Sequence, residues 1–192
     1  MSGRSKKMEI LKKLLLISYL ILIMLSLQGC YLISNEPEIT LSEDTVGKAV
    51  AVLNFSVQGQ LLPARLGVIA SDKLSNTLYF TNRFVIVDRA RVNEAQMFFN
   101  LKSVDILSQD DIQKLGLKLK ADYLVIGKII DNTSDPYADE PDGKMYLNIR
   151  IVSIVNSGIA GMVNYSENYS GDINNAIDQA INKISKKLTI VK

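Results

Sequence analysis

Histidine is missing from this chain, and cysteine occurs once in 192 residues. The first absence removes the side chain that most often serves as general base near neutral pH, and with it the nitrogen ligand of ordinary zinc and copper sites. A single thiol excludes any intrachain disulfide. If that thiol is committed elsewhere, thiol nucleophiles go with it. No Lys/Arg-rich run interleaves with aromatics, so nothing here resembles a nucleic-acid surface, and no repeat or low-complexity tract occurs. Gly59 and Gly67 are not followed by Gly-Lys-Ser/Thr, which argues against a phosphate-cradling loop. Acids and hydroxyls alone would have to supply any chemistry. The expectation is a protein that is not an enzyme and holds no cofactor, no metal and no nucleic acid.

What the chain does have is a cationic start followed by an apolar run. Arg4, Lys6, Lys7, Lys12 and Lys13 precede Leu14 to Leu27, and Leu27-Gln28-Gly29-Cys30 closes the segment. Some 14 apolar residues rise roughly 21 Å as a helix, short of the roughly 30 Å of a bilayer core. A positive flank, a short apolar core and small Gly29 before the cut fit a secretory leader over residues 1–29. An uncleaved membrane anchor is the competing reading. The lone Cys30 behind Gly29 resembles a bacterial lipobox, with Gln28 where a small residue is usual. That resemblance implies cleavage after Gly29, a diacylglycerol thioether on Cys30 and an acyl chain, such as palmitate, on the new amine. Several buried chains at about 0.8 kcal/mol per CH2 make an effectively permanent anchor.

Without residues 1–29, 163 residues remain, enough for one domain with a core. The leader takes five of the 22 basic and one of the 20 acidic residues, which turns a formal charge of +2 into −2. Residues 30–47, with Pro37, Ser34, Asn35, Ser42 and four acids, read as a flexible tether. Its 17 residues after Cys30 reach at most roughly 60 Å.

From residue 48 to 192 the patterning gives one α/β (α+β) domain. Ala49 to Phe55 reads as a buried strand, and Leu66, Ile69, Ala70, Leu74 and Leu78 as the apolar face of a helix ending near Asn82. Phe84 to Val87 is a second strand, followed by a helix with Val92, Ala95 and Phe99 on one face. Ser108 and Asp111 form a capping box before Ile112, Leu115 and Leu119. Tyr123 to Ile130 is a central strand covered on both faces, with Gly127 marking a close approach. Met145 to Ile151 alternates as an antiparallel strand, Asn156-Ser157-Gly158 turns, and Ile159 to Tyr169 returns. Asp172 caps a last helix with Ile173, Ile177, Ala180, Ile181, Ile184 and Leu188 as its stripe. The order β-α-β-α-α-β-β-β-α predicts a single mixed β-sheet with helices packed on it.

Four segments resemble the curli-secretion lipoprotein (CsgG) superfamily, which includes the penicillin-binding-protein activator LpoB and flagellar outer-membrane lipoproteins. They are Val50-Ala51-Val52-Leu53-Asn54-Phe55, Arg83-Phe84-Val85-Ile86-Val87-Asp88-Arg89, Leu115-Gly116 with Ala121 to Gly127, and Leu147 to Gly158. The likeness runs from about Lys48 to Lys187. It implies a CsgG/LpoB-like (anticodon-binding-domain-like) fold and a non-catalytic binding or assembly module of the cell envelope. Activation of a peptidoglycan synthase and a flagellar accessory role are the alternatives. It also implies a lipid-anchored location on the periplasmic face of the outer membrane, and a protein partner or self-association. Tyr31, rather than aspartate, after the modified cysteine agrees with that membrane. The family's pore-formers insert two long hairpins per protomer. Asp131 to Lys144 is too short and too acidic for one, which argues against a pore formed by this chain alone.

The candidate partner surface is Asp88, Arg89, Arg91 and Glu94, beside the polar loop Asp131 to Lys144. The same charges also read as a strand-to-helix junction held by a cap and ion pairs. Asp122 reads as closing a turn. Asp131, Asp135, Asp139, Glu140 and Asp142 could gather calcium oxygens, but they lack the regular D-x-[DN]-x-[DN]-G spacing, which favours a solvated loop.

Overall fold

Strand β2 (Ala49–Val52) is apolar at every position because both of its faces are covered. Val50 and Val52 point into one core and Ala51 and Leu53 into another. Helices α1 (Arg65–Phe80) and α4 (Ile173–Ile190) cover the first face, and α2 (Arg89–Phe98) and α3 (Gln109–Leu119) cover the second. The computed structural model describes residues 36–42, 45–59, 62–101, 107–135, 137–139 and 142–190, with the side chains of 189 and 190 excepted. All belong to one unit, Asn35–Lys192. The expected leader, Gly29, Cys30 and the first residues of the tether lie outside them.

Among the described residues a 7-stranded mixed sheet runs in the order β1-β7-β6-β5-β2-β4. Its other strands are β1 (Glu38–Leu41), β3 (Ser56–Gln58), β4 (Val85–Ile86), β5 (Tyr123–Thr133), β6 (Asp142–Ser153) and β7 (Ile159–Ser170). Strands β2 and β4 pair in parallel, and β2 and then β3 run parallel along the same edge of β5. From β5 onward every pairing is antiparallel. The α1/α4 face receives Val125 and Ile129 of β5, Met145, Leu147, Ile149 and Ile151 of β6, and Val163 and Tyr165 of β7. The α2/α3 core holds Leu124, Ile126, Val152 and Ile154 but reaches no further across the sheet.

The expected elements are present, with three differences. Glu38–Leu41, read as tether, is an edge strand on β7, because Ile39 and Leu41 alternate with polar residues and pack on the main core. Ser56–Gln58 adds a short strand, since after Phe55 the chain resumes beside Lys128 to Ile130 of β5. The polar loop read as Asp131 to Lys144 is mostly hairpin. The β5–β6 ladder pairs Asp131 with Met145, Asn132 with Lys144 and Thr133 with Gly143, so paired backbone outlasts the apolar pattern. On α1 the stripe holds except at Ile69, which is 36% exposed.

Two glycines make room for one residue. A Cβ on Gly127 would overlap the Phe55 ring, and one on Gly67 would overlap the Phe55 carbonyl oxygen. Phe55 is thus wedged between α1 and the middle of β5. The capping box forms as read, with the Ser108 hydroxyl accepting from the Asp111 amide at 3.1 Å and the Asp111 carboxylate from the Ser108 amide at 3.2 Å. The Ser108 hydroxyl, which donates to the Asp111 carboxylate at 2.7 Å, chiefly holds that carboxyl below its ordinary value, and the Ser108 amide adds to the effect.

Candidate functional site

At the carboxyl end of β2 the chain leaves an apolar strand and must satisfy its last backbone groups. Asn54 does part of this. Its amide donates to Gln96 Oε1 at 3.0 Å, and its side-chain Nδ2 to Asn93 Oδ1 at 3.0 Å, both from α2. Arg89, at the first turn of α2, fills the rest of the gap. Its Nε donates to Asp72 Oδ1 of α1 at 2.6 Å, and Nη2 to Ser71 Oγ at 3.0 Å. The same guanidinium also donates to the Val52 carbonyl and to Asn54 Oδ1. One side chain, 16% exposed, therefore joins β2, α1 and α2.

The neighbouring candidates take separate positions. Asp88 is the N-cap of α2, its Oδ1 accepting from the Ala90 amide at 2.9 Å and more weakly from the Arg91 amide. Arg91 turns the other way and donates through Nη2 to the Leu119 carbonyl at 3.1 Å, where α3 ends with Lys120 left-handed at φ 53°. Glu94 is exposed on α2. Three of the four charges hold the junction together, and Glu94 alone of the four projects without an internal partner among the described residues. Asp122 closes the sheet end. Its Oδ2 accepts from the Ala49 amide at 2.8 Å while its own amide donates to the Ala49 carbonyl at 2.8 Å.

Two solved structures share the fold. PelC from Paraburkholderia phytofirmans, solved as a dodecamer of a single-residue variant, matches at TM-score 0.52 and 14% identity, covering 80% of this chain and 94% of that one. Lipoprotein GNA1162 from Neisseria meningitidis matches at TM-score 0.55 and 11% identity, covering 75% of this chain and 99% of that one. At these identities the likeness concerns the fold alone. Escherichia coli LpoB matches at TM-score 0.49 and 16% identity, over 67% of this chain and 60% of that one, too loosely to carry an argument. No protein-family model and no curated protein matches the chain.

Around the hairpin, the acids act singly. Asp131 accepts from Tyr169 Oη at 2.7 Å and from the Thr133 hydroxyl, and Asp135 accepts from the Tyr137 amide at 3.0 Å. Among the described residues no three acids gather as a metal site would require. Burial, with the Asp131 carboxylate adding to it and the Thr133 contact opposing it, pushes the Tyr169 hydroxyl up to about 12.

A third polar cluster, absent from the sequence reading, links β7 to α4. Lys183 Nζ donates to Tyr165 Oη at 2.7 Å and to Glu167 Oε1 at 3.1 Å, and the Tyr165 hydroxyl donates to Glu167. Burial first, then the Glu167 contact, pushes Tyr165 up to about 12. The hydrogen bond to Tyr165 chiefly holds the Lys183 ammonium above its ordinary value. Also unforeseen are exposed apolar side chains on the second helical layer: Met97 at 74%, Phe98 at 71% and Leu117 at 76%. They fall off the buried stripes, and only their positions between stripe residues could have flagged them. Among the described residues no helix is long and apolar enough to cross a membrane.

Proposed function

We propose that this chain is a lipid-anchored, non-catalytic binding module of the bacterial cell envelope, held on the periplasmic face of the outer membrane. The observation that carries the reading is the 14-residue apolar run Leu14 to Leu27 followed by Gln28-Gly29-Cys30, with Cys30 the only thiol in the chain. Cleavage after Gly29 leaves Cys30 to carry the lipid. Because Lys187 holds the Pro37 carbonyl and β1 begins at Glu38, at most residues 30–35 separate the lipid from the domain, a reach of at most roughly 21 Å that keeps the domain close to the bilayer. The fold shared with the Neisseria meningitidis lipoprotein supports this reading. Within each polar cluster described above the side chains bind one another, which supports a role in docking rather than chemistry. Glu94, with the exposed part of the Asp88–Arg91 junction, is the proposed protein-facing surface.

A second copy of the chain is one partner to test, because the PelC neighbour was solved as a dodecamer. In-cell cross-linking followed by mass spectrometry distinguishes the partners. A ladder of self-adducts supports assembly, a peptidoglycan synthase supports the activator reading, and flagellar proteins support the accessory one. The anchor has its own test. Labelled palmitate is expected to enter the unaltered chain, and Cys30→Ser is expected to move the protein from the membrane to the soluble fraction. An unlabelled chain that stays on the membrane as Cys30→Ser would overturn the reading.

A further inference from the structure

Past the row of Ile126, toward the hairpin end, the β5–β6–β7 part of the sheet is packed on one side only among the described residues. Its other face carries a regular array of carboxamides. Cross-strand registers place Asn132, Lys144 and Asn168 in one row, Ile130, Tyr146 and Ser166 in the next, and Lys128, Asn148 and Asn164 in the third. All four asparagines are exposed, and none has a side-chain hydrogen bond within the described structure. Helices α2 and α3 stop at the row of Ile126, and α4 lies on the opposite side, so among the described residues nothing covers this face.

Asparagine is depleted in strands, because its short amide competes with the backbone for hydrogen bonds and packs poorly on a pleated surface. Four of them on one face, spread over three neighbouring strands, run against local preference with no internal bond to offset it. Such a departure marks a surface kept for a ligand. The chemistry of the array narrows that ligand. Each carboxamide offers two N–H donors and one carbonyl acceptor, which suits groups that donate and accept at once, as hydroxyl and acetamido groups do. Tyr146, half-buried at the centre, has the Lys144 ammonium over its ring at 5.2 Å from the centroid, and the ring can take the apolar face of a sugar once Lys144 moves aside. Lys144 is exposed and its long stem lets it swing toward a carboxylate. With rows about 6.8 Å apart and strands about 4.8 Å apart, the array measures roughly 14 by 10 Å, room for about two sugar rings. It opens at the hairpin end into a groove of about 570 Å³ lined by Asn132, Ser134, Lys144, Asn168 and Ser170 among others.

We propose that this face binds the glycan strand of the cell wall, through its hydroxyl and acetamido groups at the asparagines and the carboxylates of its attached peptides at Lys144. The proposal rests on the envelope reading only for the source of the glycan. The test is co-sedimentation of the full-length chain, kept in detergent, with protease-stripped cell-wall sacculi. The unaltered chain is expected to sediment, and Asn148→Thr with Asn164→Thr to bind about tenfold more weakly. Threonine is the better strand former, so the double variant is expected to melt no lower than the unaltered chain, which separates lost binding from lost folding. Equal sedimentation of the two, or none by either, overturns the proposal. Sedimentation only with sacculi that keep their attached proteins overturns it in favour of a protein partner. Fractionation of Cys30→Ser reports on the envelope reading separately, whatever the sacculi do.

Discussion

Arg89 reaches four acceptors on two other elements, so its loss would leave the Val52 carbonyl and the Asn54 side chain without their charged donor. Asp72, its ionic partner, is 47% exposed and can be resolvated, which lowers the cost below that of a fully buried pair. Arg89→Met is therefore expected to lose about 2–3 kcal/mol of stability, read as a lower urea midpoint. Arg89→Lys would recover little, since one ammonium cannot span the fork that serves Asp72 and Ser71 together. A variant as stable as the unaltered chain would show that water replaces the whole network. Tyr165 makes a prediction about pH. Its hydroxyl ordinarily titrates near 10.0 and is pushed up to about 12 in the fold, so the native state holds the proton longer than the unfolded chain. A raised value contributes stability that is fully present below pH 10 and is lost as pH rises toward 12. Tyr165→Phe is expected to flatten that alkaline limb in urea midpoints measured across the interval, and an unchanged slope would contradict the assignment.

Among the elements, β5 is the one on which the others register. It pairs with β2, β3 and β6, and its Gly127 accepts the Phe55 ring that fixes where β3 begins. Gly127→Ala would place a methyl inside that ring. A cost of about 1–3 kcal/mol is expected, from overpacking, unless Phe55 leaves its site. Pairing the change with Phe55→Leu is expected to restore part of the loss in a double-mutant cycle, because both changes act on one contact. Additive effects would place the strain elsewhere. The same logic explains why α2 and α3 are short. They cover Ala51, Leu53, Val87, Leu124, Ile126, Val152 and Ile154, and the asparagine rows begin where their cover ends.

The whole molecule is set relative to its membrane by what β1 does. As an edge strand it fastens the start of the domain to β7, and Lys187 of α4 donates to the Pro37 carbonyl just ahead of it. Detaching β1 would release Glu38 to Leu41 and let the domain stand further from the lipid. Ile39→Asp with Leu41→Asp, which puts charge where two side chains pack on the main core, is expected to do this while leaving the remaining sheet intact. Hydrogen exchange should then speed up along Gly161 to Asn164 of β7 and stay slow along β5. Uniformly faster exchange would show instead that β1 is needed for the fold as a whole.

Much of this was legible in the sequence because the signals are local. Apolar period, the Ser108–Asp111 box, the turn at Asn156-Ser157-Gly158 and the stripe of α4 each depend on a few neighbouring side chains, and each lies where the pattern put it. The lone Cys30 after its apolar run is likewise a property of the chain itself. What the sequence left open are contacts between distant residues. Charges at 88, 89 and 91 look alike in a row, but only the folded chain aims Asp88 at its own helix, Arg89 inward across two elements and Arg91 at the end of α3. In the sequence Asn148, Asn164 and Asn168 read as ordinary polar positions of two strands, and Asn132 as part of a polar loop. Tertiary pairing alone brings them onto one uncovered face, because strand register, which no local pattern encodes, decides which side chains become neighbours.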